Sequence, residues 1–406
     1  MEFIRPNKDS FQTLLQTINP RPMKPSKLIP AVMLTFLCLS VAAQKDWTSL
    51  ATEIVENAGI QPGEVVVVNA GQHSIPLMEA IVKESNVKGA FTNVFYTTDE
   101  IERSLAHDVS YVHLLATPTY FGEWVKNIDV WIGLSAVENP QIIFKDALEV
   151  RMVAVRRGGQ KLYDGFNSSK CRVYQINFPT SQEAALAKME YPAFEKMIVD
   201  AMQADYTAIV KQATALQNLI KASKSIKVTS PDGTNLTLSA SGRPVYVGDG
   251  LVSKADAANK TLAARLASLP DGRVFVTGVE TSASGKVVIP SAKCRYEPMT
   301  NVRFDVTGGK MLNITVGDGK ECADKILKEN TGDKMFGSIS IGLNPVLKPN
   351  DSYWPAAGAG VVYLTFGNNQ LEGGKNTSAF SWAFPMTNAT VEIDGKAVVK
   401  DGKIVM

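Results

Sequence analysis

The side chains best suited to catalysis or metal binding are few in this 406-residue chain, and they are unevenly placed. Its three histidines, His73, His107 and His113, all precede residue 114, so the longer part of the chain offers no imidazole. Zinc and cobalt sites in hydrolases usually rest on at least one neutral ring nitrogen, and that donor is missing here. Of the four cysteines, Cys38, Cys171, Cys294 and Cys322, none forms a Cys-x-x-Cys pair, so neither a thiolate metal site nor a redox motif is indicated. The cysteines are expected as single buried thiols, with one disulfide open to them in an oxidising compartment. Serine nucleophile chemistry has no Gly-x-Ser-x-Gly elbow, and a Cys–His pair has no positive sign. Carboxylates remain in the second half: Asp249, Glu280, Glu297, Asp305, Asp318, Glu321, Asp351 and Glu372. Oxygen-only sites favour calcium or magnesium, but no acidic spacing here matches a known loop. Solvated faces and turn caps are the expectation for most of them, with Glu280 the first to inspect.

The elements that must position these groups fall into two halves. Glu64–Asn69 is a β-branched run leading through Ala70-Gly-Gln-His-Ser74 into an apolar-periodic helix over 75–84. Val94–Thr97, Tyr111–Leu115, Val130–Leu134, Val153–Val155 and Val173–Phe178 supply further short apolar runs. Such alternation predicts an α/β domain with an open, largely parallel sheet. Thr180-Ser-Gln-Glu183 is a capping box that opens a long helical region, interrupted at Pro192 and resuming through Ala201–Ser223. From Ile226 the pattern changes to strands and Asp-Gly turns, with Glu321–Glu329 the clearest helix. The expected domains are 45–224, α/β, and 225–406, a β-rich α+β domain. The first offers nucleotide binding only a strand, a turn and a helix start and lacks both Gly-x-Gly-x-x-Gly and a Gly-x-x-x-x-Gly-Lys loop, so that signal is weak.

Composition excludes other classes. A hydrophobic fraction of 45% with 20% charged residues is that of a folded globular protein. The formal net charge is +2 without basic blocks, so nucleic acid is not an expected partner. Lys24 and Lys27 precede an apolar run from Leu28 to Val41 that ends Val41-Ala42-Ala43, which predicts a signal peptide over 1–43, with Met23 as a possible start. Removing 1–43 takes five of the 42 basic and two of the 40 acidic residues, leaving 37 against 38 and a net charge of −1. The mature protein is then expected to be exported, periplasmic or secreted, with no stable membrane span.

Several blocks carry a resemblance. They are Ile176-Asn-Phe-Pro-Thr-Ser-Gln-Glu-Ala-Ala-Leu-Ala-Lys-Met189, Gly233-Thr-Asn-Leu-Thr237, Leu269-Pro-Asp-Gly-Arg-Val-Phe275 and Gly342-Leu-Asn-Pro345, with Gly373-Gly-Lys-Asn-Thr-Ser378 the last. Together they resemble the aminopeptidase T / PepS family of thermophilic metallo-aminopeptidases, over most of the mature chain. The resemblance implies that the first domain covers a site on the second, that two zinc or cobalt ions release N-terminal residues there, and that two chains associate around a chamber.

The family's ligand positions, carried over one by one, are not met. A metal-binding glutamate in Gly-Glu-Val-Phe corresponds to Arg273, and a second glutamate, before the Gly-x-Gly-x-Asn-Pro block, to Ser338. The family's histidine corresponds to Tyr363 and the tyrosine seven residues later to Gln370. The closing His-Trp-Asp becomes Ser381-Trp382-Ala383. A guanidinium offers only donors and is always charged, so it cannot ligate a cation. No catalytic residue, metal ligand or cofactor is therefore expected. Arg273, Ser338, Tyr363, Gln370 and Ser381, if they converge, would make a polar cleft with one fixed positive charge, suited to a carboxylate or a peptide end. The same residues could equally fill a vacated site. The expectation is an exported, catalytically inactive relative that binds a peptide or a partner protein; the alternative is an active metallo-aminopeptidase with non-standard ligands.

Overall fold

The computed structural model describes residues 46–406, apart from 117–118, 145–146, 296, 330–331 and 379. The predicted signal segment lies outside the described residues. Chain order begins with helix α1 (Thr48–Asn57), strand β1 (Val65–Ala70), α2 (Ile75–Val87), β2 (Phe91–Tyr96) and α3 (Asp99–His107). Next come α4 (Tyr111–Leu115), α5 (Thr119–Val125), β3 (Val130–Leu134), α6 (Pro140–Phe144), α7 (Glu149–Gly158), α8 (Gln160–Ser168) and β4 (Arg172–Ile176). Three helices follow: α9 (Ser181–Ala187), α10 (Tyr191–Met202) and α11 (Tyr206–Ala222).

The first half is α/β, as its alternation predicts. β1 pairs in parallel with β2 on one side and β3 on the other, and β3 pairs with β4. Val66, Val67 and Val68 of β1 are all buried, because helices cover both faces of the sheet and leave no side for a polar alternate. Two short apolar runs are helical where strands were expected. Tyr111–Leu115 forms α4 and Val153–Val155 lies inside α7. A run of three to five apolar residues fits the buried stripe of a helix as well as a strand, and only tertiary partners decide. Pro192 lies in the first turn of α10 and does not interrupt a helix; the breaks fall at the left-handed Lys188 and before Asp205, which caps α11 by accepting from the Ala208 amide. Proline suits a first turn because its missing N–H has no partner there anyway.

The second half is β-rich. Its strands are β5 (Ile226–Thr229), β6 (Asn235–Leu238), β7 (Val245–Gly248), β8 (Leu266–Leu269), β9 (Arg273–Thr277), β10 (Ser284–Cys294), β11 (Glu297–Thr307) and β12 (Lys310–Thr315). After α12 (Lys254–Ala257), between β7 and β8, and α13 (Lys320–Glu329) come β13 (Phe336–Gly342), β14 (Val362–Gly367), β15 (Ser381–Met386), β16 (Thr390–Ile393), β17 (Lys396–Lys400) and β18 (Lys403–Ile404). One antiparallel sheet has eight strands, ordered β12-β11-β10-β6-β5-β16-β17-β18; another has five, ordered β15-β14-β13-β9-β7. Their facing apolar sides, with Val274, Ile339, Leu364 and Phe384 from one and Val287, Val302 and Phe304 from the other, form one core that α11 closes through Ile209, Ala213, Leu216 and Ile220.

β8 is the exception to the division by sequence. It comes from the second half but pairs in parallel with β4, making the order β2-β1-β3-β4-β8. Three residues later β9 enters the five-stranded antiparallel sheet, so Pro270-Asp271-Gly272 is the joint between the two sheets. Cys294 and Cys322 form a disulfide between β10 and α13, so the expectation of single buried thiols holds only for Cys171. Among the described residues no helix is long and apolar enough to cross a membrane.

Candidate functional site

The joint is held rigidly. The Asp271 amide donates to Tyr206 Oη (2.9 Å), while Asn344 Nδ2 donates to the carbonyls of Asp271 (2.9 Å) and Ala201 (3.0 Å). Asn344 is fully buried, and its amide is the nearer donor to both carbonyls, which Tyr206 Oη also reaches at 3.3 and 3.4 Å. Gly248 and Gly342 lie opposite Arg273 on the neighbouring strands. A Cβ on Gly248 would meet the Asp271 carboxyl at 2.4 Å, and one on Gly342 the Gly358 carbonyl at 2.2 Å. Only glycine leaves room for them.

Strand alternation then builds the site. Arg273 and Phe275 on β9, Ser338 and Ser340 on β13, Tyr363 and Thr365 on β14, and Ser381 and Ala383 on β15 all line one cleft of about 940 Å³. The intervening residues of the same strands face the core. Glu183 and Leu186 of α9 and Ile198 of α10 close the cleft from the α/β side. Of the positions singled out from sequence, the structure brings Arg273, Ser338, Tyr363, Ser381 and Ala383 together. Gln370 does not line the cleft; it is exposed in a short 3-10 turn over Gln370–Glu372, and Glu372 of that turn lines the cleft instead.

The electrostatics are richer than a single fixed positive charge. Arg273 Nε lies 3.2 Å from Asp271 Oδ1, but its N–H is not aimed along that line, so the pair is Coulombic and not a directed hydrogen bond. Burial pushes the Asp271 carboxyl above its ordinary range, opposed by Arg273, the Gly272 amide and Ser268. Burial likewise raises Glu372, opposed by a hydrogen bond from Ser338 and by Arg273. Ser338 Oγ is also 2.8 Å from Thr365 Oγ1, so Thr365, Ser338 and Glu372 form a polar chain across the floor. Glu183 is raised by burial and Lys293 lowered by it, each partly offset by the other's charge. Lys293 Nζ sits 5.6 Å from the Trp354 ring centroid, whose face stabilises a cation. Tyr363 Oη donates to the Trp354 carbonyl (2.6 Å), and burial holds its phenol above its ordinary value.

Glu183, Asp271, Lys293 and Arg295 are thus cleft residues that sequence reasoning did not single out, and Glu372, named only among the remaining carboxylates, joins them. Glu183 read as a capping residue, and its amide does donate to Thr180 Oγ1 (3.2 Å); nothing local told that its carboxyl also faces the cleft. Asp271 stands two before Arg273 in a turn, a spacing that pairs opposite charges, and was the one legible signal. Glu280 does not line the cleft; it forms an ion pair with Arg243 and accepts from the Lys375 amide (2.8 Å). In the Gly373-Gly-Lys-Asn-Thr-Ser378 block, Asn376 Nδ2 donates to the carbonyls of Phe336 and Gly367 (both 2.9 Å), tying β13 to β14 beside the Glu372 turn.

A family model described as thermophilic metalloprotease (M29) matches residues 44–348, three quarters of the chain. The chain belongs to the M29 family. The match ends before β14 and β15, which carry Tyr363, Ser381 and Ala383. Among solved structures, wild-type AmpT from Thermus thermophilus superposes with a TM-score of 0.69 at 16% identity, covering 89% of this chain and 99% of that one. The 2,5-dihydroxypyridine dioxygenase from Pseudomonas putida KT2440 has a TM-score of 0.58 at 14% identity, covering 88% and 96%. At these identities the likeness is one of fold. No curated protein matches the chain significantly in sequence.

M29 membership implies a metal centre, and the donor set of this cleft does not fit one. Arg273 is a permanent cation on the floor, Ala383 has no donor atom, and the Tyr363 hydroxyl is held by a carbonyl. Two divalent ions about 3.5–4 Å apart need several anionic ligands between them. Asp271 is engaged with Arg273 and Glu372 with Ser338. Among the described residues no three of His, Cys, Asp or Glu are grouped as a metal site requires.

Proposed function

We propose that this is an exported M29 protein without the two-metal centre and without peptidase activity, which binds a peptide-like ligand or a partner's chain end in the cleft. The observation that carries the reading is Arg273, a guanidinium beside buried Asp271, standing where the family resemblance expects a metal-binding glutamate. A cation at that place repels a metal ion and attracts a carboxylate. Arg273 and Lys293 offer positive charge, and Glu183 and Glu372 offer acceptors, to one space large enough for several residues of an extended chain. The charge pattern suits a peptide, whose two ends carry opposite signs. Export is supported by the Cys294–Cys322 disulfide, which persists in oxidising compartments, together with the apolar segment before Gln44. The fold itself does not decide for hydrolysis, since AmpT and a dioxygenase share it.

The second reading is an active metallo-aminopeptidase with non-standard ligands, favoured by the three carboxyls Glu183, Asp271 and Glu372 at one cleft. One sample separates the two. Mature protein purified without chelator is analysed for metals and assayed on amino-acyl chromogenic substrates with added zinc or cobalt, while calorimetry measures binding of short peptides. The proposal expects neither stoichiometric metal nor turnover, with peptide binding lost in Arg273→Ala. Restoring only Arg273→Glu is expected to leave turnover absent, because Ser338, Tyr363, Gln370, Ser381 and Ala383 still supply no family ligand. Stoichiometric metal with turnover, or activity from that single change, would overturn it.

A further inference from the structure

We propose that the cleft reads the carboxyl end of a peptide and selects an aromatic residue there, which rests on the ligand class proposed above and narrows it. Two adjoining features carry this. One is the state of Arg273. Among the described residues no acceptor takes a hydrogen bond from its guanidinium, and Nε is buried without a partner. Asp271 and Glu372 act on it by charge and not through a directed bond. The side chain is nonetheless 30% exposed and lines the cleft. The N–H fork of a guanidinium matches the two oxygens of a carboxylate, so its unspent donors are the natural seat of a ligand's carboxyl group.

The other feature is the floor beside it. Ser340 on β13 lies opposite Phe275 on β9 and opposite Tyr363 on β14, so the three form one row across the sheet. All three line the cleft; the small serine is buried, and the rings on either side are only part-buried. Neighbouring strands lie ~4.8 Å apart, which sets the two aromatic positions roughly 9.6 Å apart with the serine between them. One flat ring, needing a contact of ~3.5–4.0 Å on each side, fits that slot. Both walls are fixed. Tyr246 of β7, on the far side of β9 from β13, stacks on Phe275 at 5.2 Å and 20°, and the Trp354 carbonyl holds Tyr363 Oη. Arg273 stands two residues before Phe275 on the same face, its guanidinium carbon 5.3 Å from the ring centroid, so the charge sits at one end of the slot. The carboxylate and side chain of a terminal residue leave the same Cα, so one residue satisfies both features. An internal residue brings the ring without the carboxylate, and an amino end would set a cation against Arg273.

Calorimetry of the mature protein with the peptide Ala-Ala-Ala-Phe and its relatives tests this. The C-terminal amide is expected to bind at least about tenfold more weakly than the acid, because it loses a charged pair. Ala-Ala-Ala-Ala is expected to bind about tenfold more weakly for want of a ring, while the N-acetylated acid binds like its parent. Arg273→Gln should bring the acid down to the affinity of the amide. Ser340→Val fills the slot and should remove the preference for phenylalanine while leaving Ala-Ala-Ala-Ala bound as before, which also shows that the variant folds. If none of these peptides binds, the ligand class proposed above falls and this inference with it. Peptides that bind with amide equal to acid, with alanine equal to phenylalanine, or only with a free amino end would overturn this inference alone. N-acetylphenylalanine bound as tightly as the tetrapeptide would assign the slot to a small aromatic acid and overturn the peptide.

Discussion

Replacing Arg273 with methionine removes the partner of a buried carboxylate while keeping an unbranched apolar stem, so its cost follows from what Asp271 has left. The Asp271 side chain is 4% exposed and retains the Gly272 amide (2.9 Å) and Ser268 Oγ (3.2 Å). Breaking a fully buried ion pair costs about 3–5 kcal/mol. Here Arg273 is 30% exposed and the two hydrogen bonds persist, so about 2–3 kcal/mol is expected at pH 7.5, including the contact of the guanidinium with the Phe275 ring. The pH dependence gives the test its edge. A carboxyl whose folded pKa is raised binds its proton more tightly folded than unfolded, so stability is lost as pH climbs from the ordinary carboxylate value through the raised one. Losing Arg273 raises Asp271 further and therefore enlarges the penalty at neutral pH. Urea unfolding followed by tryptophan fluorescence should show the Arg273→Met penalty shrinking to about 1 kcal/mol as pH falls from 7.5 to 4.5, since a carboxyl of raised pKa takes its proton earlier on the way down. In an Asp271→Asn background the penalty should stay near that value at both pH values. A penalty equal at pH 4.5 and 7.5, or undiminished in the Asp271→Asn background, would show that Arg273 stabilises by packing and that the charge argument for the cleft floor is wrong.

Burial pushes Asp249 up to about 6, so charging it opposes folding at neutral pH; Asp249→Asn should raise stability by about 1 kcal/mol at pH 7.5 and change nothing below pH 4, by urea unfolding at each pH. Asn344→Ala removes the nearer side-chain donor from two buried carbonyls, leaving them Tyr206 Oη, and should cost about 1–3 kcal/mol, independent of pH, by the same measurement. Cys294→Ser with Cys322→Ser opens a 28-residue loop and should cost about 3.5 kcal/mol in chain entropy, with wild type under a strong reductant approaching the variant's midpoint in denaturant.

The sheet-forming runs of both halves were readable because burial on two faces demands unbroken β-branched stretches, as in β1, and burial on one demands alternation, as in β5 and β6. α4 and α7 were not, since a few apolar residues satisfy either period until neighbours choose. β8 was invisible for a different reason. Leu266–Leu269 looks like any short strand of the β-rich half, and its partner β4 lies about ninety residues earlier. The site was half legible. Residues on the sheet face could be carried over from a related frame because strand register preserves which side chains share a face. Glu183 and Glu372 reach the cleft from a helix start and a 3-10 turn, where no periodicity reports direction, and the chemistry each adds depended on burial that sequence does not carry.

The same register explains how the frame of a cleft can stay while its side chains change. What keeps β9, β13 and β14 aligned is the Asn344 amide, the Asn376 amide, the glycines at 248 and 342 and the apolar inner face, none of which touches the cleft's contents. Ligand positions on the outer face can therefore change without disturbing the frame, provided each replacement is satisfied in place. Arg273 has its charge balanced by Asp271 although its Nε makes no hydrogen bond, while Ser338 pairs with Thr365 and Glu372 and Tyr363 with the Trp354 carbonyl. On the proposed reading, Asp271 beside Arg273, with Glu183, Glu372 and Lys293 at the same opening, supplies the opposite charges that a ligand charged at both ends requires.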